Sequence, residues 1–200
     1  MKIVSYYTPL YKKVFETHLK PSLEELKLES SVDLIGDLEN DWSKCVCYRP
    51  TFLLNKLEEL KTDLVWVDCD AKIKKYPELF NNIPLDIDIA YHTLNWNLQY
   101  NKNQDPPTMH IISGTMFFRN NQKIINFLKL WEKCCIGSSN NQIALRQALK
   151  EFPLSVYDLP AEYCTIVDFN NNIPTYVKNP IIVHYQASRE FKRRKNRREI

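Results

Sequence analysis

Glycine is almost missing from this chain: Gly36, Gly114 and Gly137 are the three among 200 residues. Loops of the Gly-x-x-x-x-Gly-Lys or Gly-x-Gly-x-x-Gly kind need clustered glycines, because the backbone must close tightly on a phosphate. With no such loop, a bound nucleotide has to be held by a metal and by basic side chains. A membrane span is missing too, since no apolar run approaches the length that crosses a bilayer. The opening Met1-Lys2-Ile3-Val4-Ser5-Tyr6-Tyr7 turns polar too soon for a signal peptide. Zinc spacing is also lacking. Cys45 and Cys47 form a Cys-x-Cys pair and Cys134 and Cys135 an adjacent one, without the wider zinc spacing, and Cys69 and Cys164 stand alone. They read as small buried thiols, which points to a reducing, cytoplasmic setting.

A net positive charge is missing outside the C-terminus. The chain carries +3 overall, and Arg189 to Ile200 holds seven Lys/Arg and two Glu. Residues 1–188 are therefore left at about −2. That body has no basic face and no aromatic RNA-binding motif, so nucleic acid is not its expected partner. The tail has three readings: a solvated terminus, an attraction to anionic lipid that places the protein at a membrane periphery, and nucleic-acid binding. Two hundred residues allow one domain with a sizeable core. We divide them into a domain over 1–188 and a basic tail over 189–200.

What is present begins with Asp63-Leu64-Val65-Trp66-Val67-Asp68-Cys69-Asp70-Ala71. A short apolar run bounded by polar residues reads as a buried strand. Alternate residues of a strand share a face, so Asp68 and Asp70 leave it side by side. Two close carboxylates raise each other's pKa unless a cation lies between them. Hard oxygen ligands suit Mg²⁺ or Mn²⁺, and ligands of open α/β sheets gather at strand carboxyl ends. A solvated turn after a core strand is the plain alternative.

Before this stretch, Lys2–Tyr7 predicts a strand. Val14, Phe15, His18, Leu19, Leu23 and Leu26 predict a helix kinked at Pro21. Val32–Ile35 predicts a strand and Thr51–Leu60 a helix started by Pro50. Alternating strand and helix is the signature of a mainly parallel sheet flanked by helices, an α/β fold. After it, Ile87–Tyr91 reads as a strand and residues 95–107 as an Asn/Gln-rich loop. Residues 109–119 read as a strand interrupted by Ser113-Gly114-Thr115, followed by helices over 121–135 and 139–150 and a strand over Ile181–His184.

Four segments now stand in order: Leu64-Val65-Trp66-Val67-Asp68-Cys69-Asp70, Ile112 to Arg119, Asn141-Gln142-Ile143-Ala144-Leu145, and Val183 to Arg189. Together with Tyr6-Tyr7-Thr8-Pro9 and Arg49-Pro50 they resemble a GT-A fold glycosyltransferase, of the nucleotide-diphospho-sugar transferase superfamily. The likeness runs from residue 2 to about 192. It implies a single GT-A-like, Rossmann-like domain with a small acceptor-side subregion and a hexosyltransferase-like activity. The donor is a nucleotide-diphosphate sugar, by default a UDP-sugar, and the acceptor a glycan, a lipid-linked sugar or a protein.

The resemblance also implies roles. Asp68 and Asp70 match the Asp-x-Asp that holds Mn²⁺ or Mg²⁺ against the donor diphosphate, and His184 matches the late histidine that adds a third ligand. Tyr7 and Thr8 fall where the base and ribose sit, and Arg49 on the nucleotide side. Ser113 and Gly114 line the donor-sugar pocket. Arg189, with Lys192, is placed to pair with diphosphate oxygens. Gln142 falls near the anomeric carbon, and Asp88 where relatives set a second acidic residue; Trp96 and Tyr100 could stack on an acceptor sugar. Many relatives carry an acidic residue where Asn141 stands. An inverting transferase needs a carboxylate base, so Asn141 leans the reading toward a retaining mechanism or a base elsewhere, with Asp88, Asp158, Glu162 and Asp168 as candidates. A sugar-phosphate nucleotidyltransferase is the alternative within the architecture, but such enzymes resemble one another in a Gly-rich N-terminal loop. A non-enzymatic nucleic-acid or membrane-binding module, acting through the tail, is the alternative outside it.

Overall fold

The computed structural model describes residues 1–36, 42–100, 103, 106, 108–138 and 140–189. Strands β1 (Lys2–Tyr7), β2 (Ser30–Leu34) and β3 (Leu64–Val67) alternate with helices α1 (Lys12–Thr17), α2 (Leu19–Glu25), α3 (Trp42–Cys47) and α4 (Arg49–Leu60). Then follow β4 (Ala71–Ile73), β5 (Ile89–Asn95), α5 (Trp96–Tyr100), β6 (Met109–Phe118), α6 (Gln122–Cys135) and α7 (Asn141–Glu151). Short strands β7 (Val156–Asp158), β8 (Thr165–Ile166) and β9 (Ile182–His184) are the last among the described residues.

Six strands form the main sheet in the order β2-β1-β3-β6-β5-β7. β1 pairs in parallel with β2 and β3, and β5 with β7, whereas β6 is antiparallel to both β3 and β5. Five strands therefore run one way and β6 alone runs against them. The expected α/β fold with a mainly parallel central sheet is what forms. A second sheet, β4-β9-β8, gives the smaller subregion.

β3 lies at the middle because it is apolar on both sides. Leu64 and Trp66 enter the core shared with α4, α6 and α7, through Phe52, Leu53, Phe127, Trp131 and Leu145. Val65 and Val67 face the opposite core, built with Phe15, Leu19 and Leu23 of α1 and α2 and with Ala71, Ile73 and Ile182 of the small sheet. Two-residue alternation with apolar residues on both faces is how a strand reads when helices cover each side.

Three local expectations are corrected. The helical break expected at Pro21 falls at His18, and Pro21 sits in the first turn of α2, where its missing N–H leaves no bond unmade. Within the expected loop at 95–107, α5 forms because the Asn95 side-chain oxygen accepts from the N–H groups of Asn97 (3.0 Å) and Leu98 (3.4 Å). Ser113-Gly114-Thr115 does not interrupt β6. The strand is continuous, and the irregularity appears as a register jump, with Tyr91 opposite Met116 but His92 opposite Ile112. That bulge frees 113–115 from β5 just where β6 passes the end of β3.

Candidate active site

β3 ends at Val67, and the Asp68 N–H still reaches the Gly114 carbonyl at 2.9 Å, continuing the ladder with β6. The Ala71 N–H then bonds back to the Asp68 carbonyl at 2.9 Å, closing a tight turn into β4. Asp68 and Asp70 therefore stand on the turn that passes the chain from the large sheet to the small one. β9 pairs with β4 so that His184 lies opposite Ala71, and this register brings the histidine to the acidic pair. One ligand atom from each of Asp68, Asp70 and His184 lies within 4.8 Å of the others.

Each of the three is held from behind. Asp68 Oδ1 accepts from Arg49 Nη2 at 2.7 Å and from Trp66 Nε1 at 2.9 Å. Arg49 is buried at the start of α4, its guanidinium 4.5 Å from the Trp66 ring centroid, and Nη1 donates to the Ser113 carbonyl at 2.6 Å. Asp70 Oδ2 accepts from the Ala187 N–H at 2.9 Å. Its other oxygen, Oδ1, is buried with no hydrogen-bond partner, 3.8 Å from His184 Nδ1. His184 Nε2 bonds the Thr115 hydroxyl at 2.8 Å. When Nε2–H donates to Thr115, Nδ1 is left facing Asp70, the arrangement that presents a ring nitrogen to a metal.

Burial raises the pKa of Asp68 against the pull of Arg49, and the neighbouring Asp70 charge pushes it the same way. Burial would raise Asp70 too, but His184 and the Ala187 N–H outweigh it and hold that carboxyl below its ordinary value. Burial alone would lower His184, yet Cys164, Asp70 and Asp68 push it up to about 10. The pocket thus draws a positive charge toward the two carboxylates. An orphaned carboxylate oxygen, a second carboxylate and an oriented imidazole form a donor set that fits a small divalent cation.

Above this cluster opens a cleft of about 280 Å³. It lies at the carboxyl ends of the parallel strands, where ligands of open α/β sheets collect. Tyr7, Thr8, Arg49, Asp68, Asp70, Ser113 and Gln142 all line it. The Tyr7 ring stacks on Phe15 at 4.5 Å between centroids, and Thr8 is buried without a capping bond from its side chain. Gln142 stands in the first turn of α7, whose end is capped by the Asn140 side chain, 2.8 Å from the Gln142 N–H. Asn141, beside it, is buried and receives a bond on its carbonyl from Trp131 Nε1 at 3.2 Å.

Gly114 has a different partner from the one its place in the sequence suggests. A Cβ there would lie 2.8 Å from His184 Cε1 and 3.0 Å from Nδ1. The glycine makes room for the histidine ring.

Two expected site residues turn elsewhere. Asp88 is buried at the start of β5, where it accepts from Lys123 Nζ at 2.6 Å, the Ser155 N–H at 2.9 Å and Asn121 Nδ2 at 3.1 Å. Burial would raise its pKa, but these three donors hold it below the ordinary carboxyl value. Arg189 donates to the carbonyls of Val167 (3.1 Å) and Asp168 (3.0 Å) and lies over the Phe169 ring. Neither lines the cleft. Trp96 packs against Tyr100 and His110, with centroids 4.2 and 4.8 Å away. Lys192 and the tail beyond Arg189 lie outside the described residues.

The cleft also takes in Tyr11, Cys45, Val46, Cys69, Asn140, Gln186 and Ser188, which the sequence did not single out. Tyr11, Cys69 and Gln186 adjoin segments that it did, so proximity along the chain was the available signal. Cys45 and Val46 arrive on α3 through tertiary packing, with no local pattern to announce them.

No protein-family model matches the chain, and no curated protein matches its sequence. Solved structures do share its architecture. A glycosyltransferase involved in the glycosylation of the major capsid of PBCV-1 aligns with a TM-score of 0.67 at 14% identity, over 100% of this chain and 98% of its own. Galactosyltransferase LgtC, in complex with donor and acceptor sugar analogs, gives 0.58 at 12%, over 93% of this chain and 87% of its own. Mouse xyloside xylosyltransferase 1, in its apo form, gives 0.56 at 10%, over 94% and 99%. The fold is that of the GT-A-type glycosyltransferases, and in this chain the cluster Asp68, Asp70 and His184 could bind a metal at its cleft. Among the described residues no helix is long and apolar enough to cross a membrane.

Two predictions follow from this geometry. In Gly114→Ala the added methyl displaces the His184 ring, and Mn²⁺ affinity measured by electron paramagnetic resonance falls at least about tenfold; unchanged affinity would detach His184 from the metal set. Asp88→Asn lowers stability by roughly 2 kcal/mol in denaturant titrations at pH 7 while Mn²⁺ affinity stays at the wild-type value. Because the folded-state pKa of Asp88 is depressed, its contribution is present above the ordinary carboxyl range and is lost as pH falls through the folded value. The variant should therefore converge with wild type in acid.

Proposed function

We propose that this protein is a metal-dependent glycosyltransferase that moves a sugar from a nucleoside-diphosphate donor, UDP-sugar by default, to a hydroxyl of a glycan, lipid-linked or protein acceptor. The observation that carries the reading is the meeting of Asp68, Asp70 and the buried His184, with Asp70 Oδ1 buried and without a hydrogen bond, where the two carboxylates line a cleft in a GT-A fold. Similar architectures belong to a glycosyltransferase involved in the glycosylation of the major capsid of PBCV-1 and to a galactosyltransferase in complex with donor and acceptor sugar analogs. Mn²⁺ or Mg²⁺ bound there supplies Lewis-acid stabilisation of the departing diphosphate.

The chain's own residues prepare the rest. Arg49 and Trp66 fix the Asp68 carboxylate, so its free edge is presented without rotation toward the cleft. Thr115 fixes the imidazole of His184. Tyr7 and Thr8, at the end of β1, form the wall for base and ribose. Ser113 and Gln142 line the sugar end. Among the described residues two carboxylates line the cleft, Asp68 and Asp70, and both belong to the metal set. Asp88 is tied to Lys123, Asp158 accepts from the Thr93 N–H, and Asp168 from those of Asn170 and Asn172. Asn141 stands at the cleft wall where a carboxylate base would be needed for inversion, so we favour retention of anomeric configuration, with the Gln142 amide beside the reacting carbon.

Asp70→Asn tests the assignment. The variant keeps the shape of the side chain but removes its charge, and Mn²⁺ binding with Mn²⁺-dependent UDP binding should weaken by about a hundredfold. Wild-type affinity for both in a folded Asp70→Asn protein would remove the metal centre from the account.

A further inference from the structure

Among the described residues, four other than glycine have a left-handed backbone: Lys27, Lys61, Asn171 and Gln186. Three have ordinary local reasons. Lys61 is the C-cap of α4 and Lys27 follows the end of α2, where helices commonly close in this conformation. Asn171 is of a type that tolerates it in turns. Gln186 has neither reason. It ends no helix, its side chain is long, and its φ is +56°.

The surrounding bonds explain the backbone but not the side chain. The Tyr185 N–H reaches the Asp70 carbonyl at 3.2 Å, the Ala187 N–H reaches Asp70 Oδ2 at 2.9 Å, and the Arg189 N–H turns back to the Gln186 carbonyl at 2.9 Å. To pass from His184 to a second contact with Asp70, the chain must reverse at residue 186. Glycine would make that reversal without the penalty a Cβ brings. Gln186 lines the cleft, two residues after His184, and Ser188 lines it too.

We infer that Gln186 is a ligand-binding residue whose amide N–H donates to diphosphate oxygens of the nucleotide held at the Asp68, Asp70 and His184 centre. The inference rests on the donor reading given under Proposed function. A non-ionic donor suits this place. It satisfies phosphate oxygens without competing with the metal for Asp70, as a lysine or arginine two residues from His184 would do.

The test compares wild type with Gln186→Gly and Gln186→Asn, using UDP and UMP as probes in calorimetry with Mn²⁺ and thermal melting of the ligand-free protein. Gln186→Gly should melt at or above the wild-type temperature, because the strain is relieved, while its UDP dissociation constant rises roughly five- to tenfold. UMP, with no second phosphate, should show a smaller change. Gln186→Asn tolerates the backbone and keeps a shorter amide, so its UDP affinity should fall between the other two. UDP binding by Gln186→Gly as tight as wild type overturns the inference, as does a penalty equal for UDP and UMP. A Gln186→Gly protein that melts well below wild type, or fails to fold, overturns it too, because the side chain would then be structural. Failure of wild type to bind UDP at all defeats the donor reading instead.

Discussion

Asp68 and Asp70 bring two negative charges to the end of β3, a strand buried on both faces, and that charge has to be balanced. Bulk water cannot do it from beneath, where Trp66 and the two cores lie. The balance comes from three directions. Arg49 reaches Asp68 from the start of α4, His184 approaches Asp70 from β9, and the Ala187 N–H closes on the second Asp70 oxygen. One carboxylate oxygen, Asp70 Oδ1, is still left buried with no hydrogen bond. Leaving such an atom unmet costs about 1–3 kcal/mol, and more when it is charged. A cation bound between the two carboxylates would remove that cost.

The surrounding fold can be understood as the means of assembling those three contributions. The first half of the chain lays down parallel strands with helices between them, and this delivers Asp68 and the buried Arg49 to one end of the sheet. The later strand β6, reversed relative to its neighbours, carries Ser113, Gly114 and Thr115 past the same point. Each has a separate use there: Ser113 offers a carbonyl to Arg49, Gly114 leaves space for the His184 ring, and Thr115 fixes that ring. The small sheet then returns the C-terminal segment to Asp70. Residues far apart in sequence meet because a turn of four residues, Asp68 to Ala71, joins the two sheets.

The parts legible in the sequence were those with a local cause. The apolar run Leu64–Val67 ending in two carboxylates announced a buried strand and a charged end. Pro50 announced the start of α4, and the scarcity of glycine turned attention to a metal rather than a phosphate loop. Parts set by distant packing were not legible. Gly114 could be read as a close approach, but nothing local showed that a histidine seventy residues later would be the approaching group. Asp88 was placed near the sugar by the family resemblance alone, and nothing local showed that its partners Lys123 and Ser155 would come from α6 and from the segment before β7. Arg189 looked free beside a basic tail and is instead taken up by two backbone carbonyls. Gln186 carried no sequence signal, because a left-handed backbone is advertised by glycine or asparagine and not by glutamine.

The central claim is that the cleft is built for a metal-bound nucleoside diphosphate, and calorimetric titration of wild-type protein with UDP, with and without Mn²⁺, tests it most directly. Saturable binding that appears with Mn²⁺ and disappears on chelation is the result this account requires. A folded protein that binds UDP equally well without the metal, or binds neither UDP nor GDP in its presence, would contradict it.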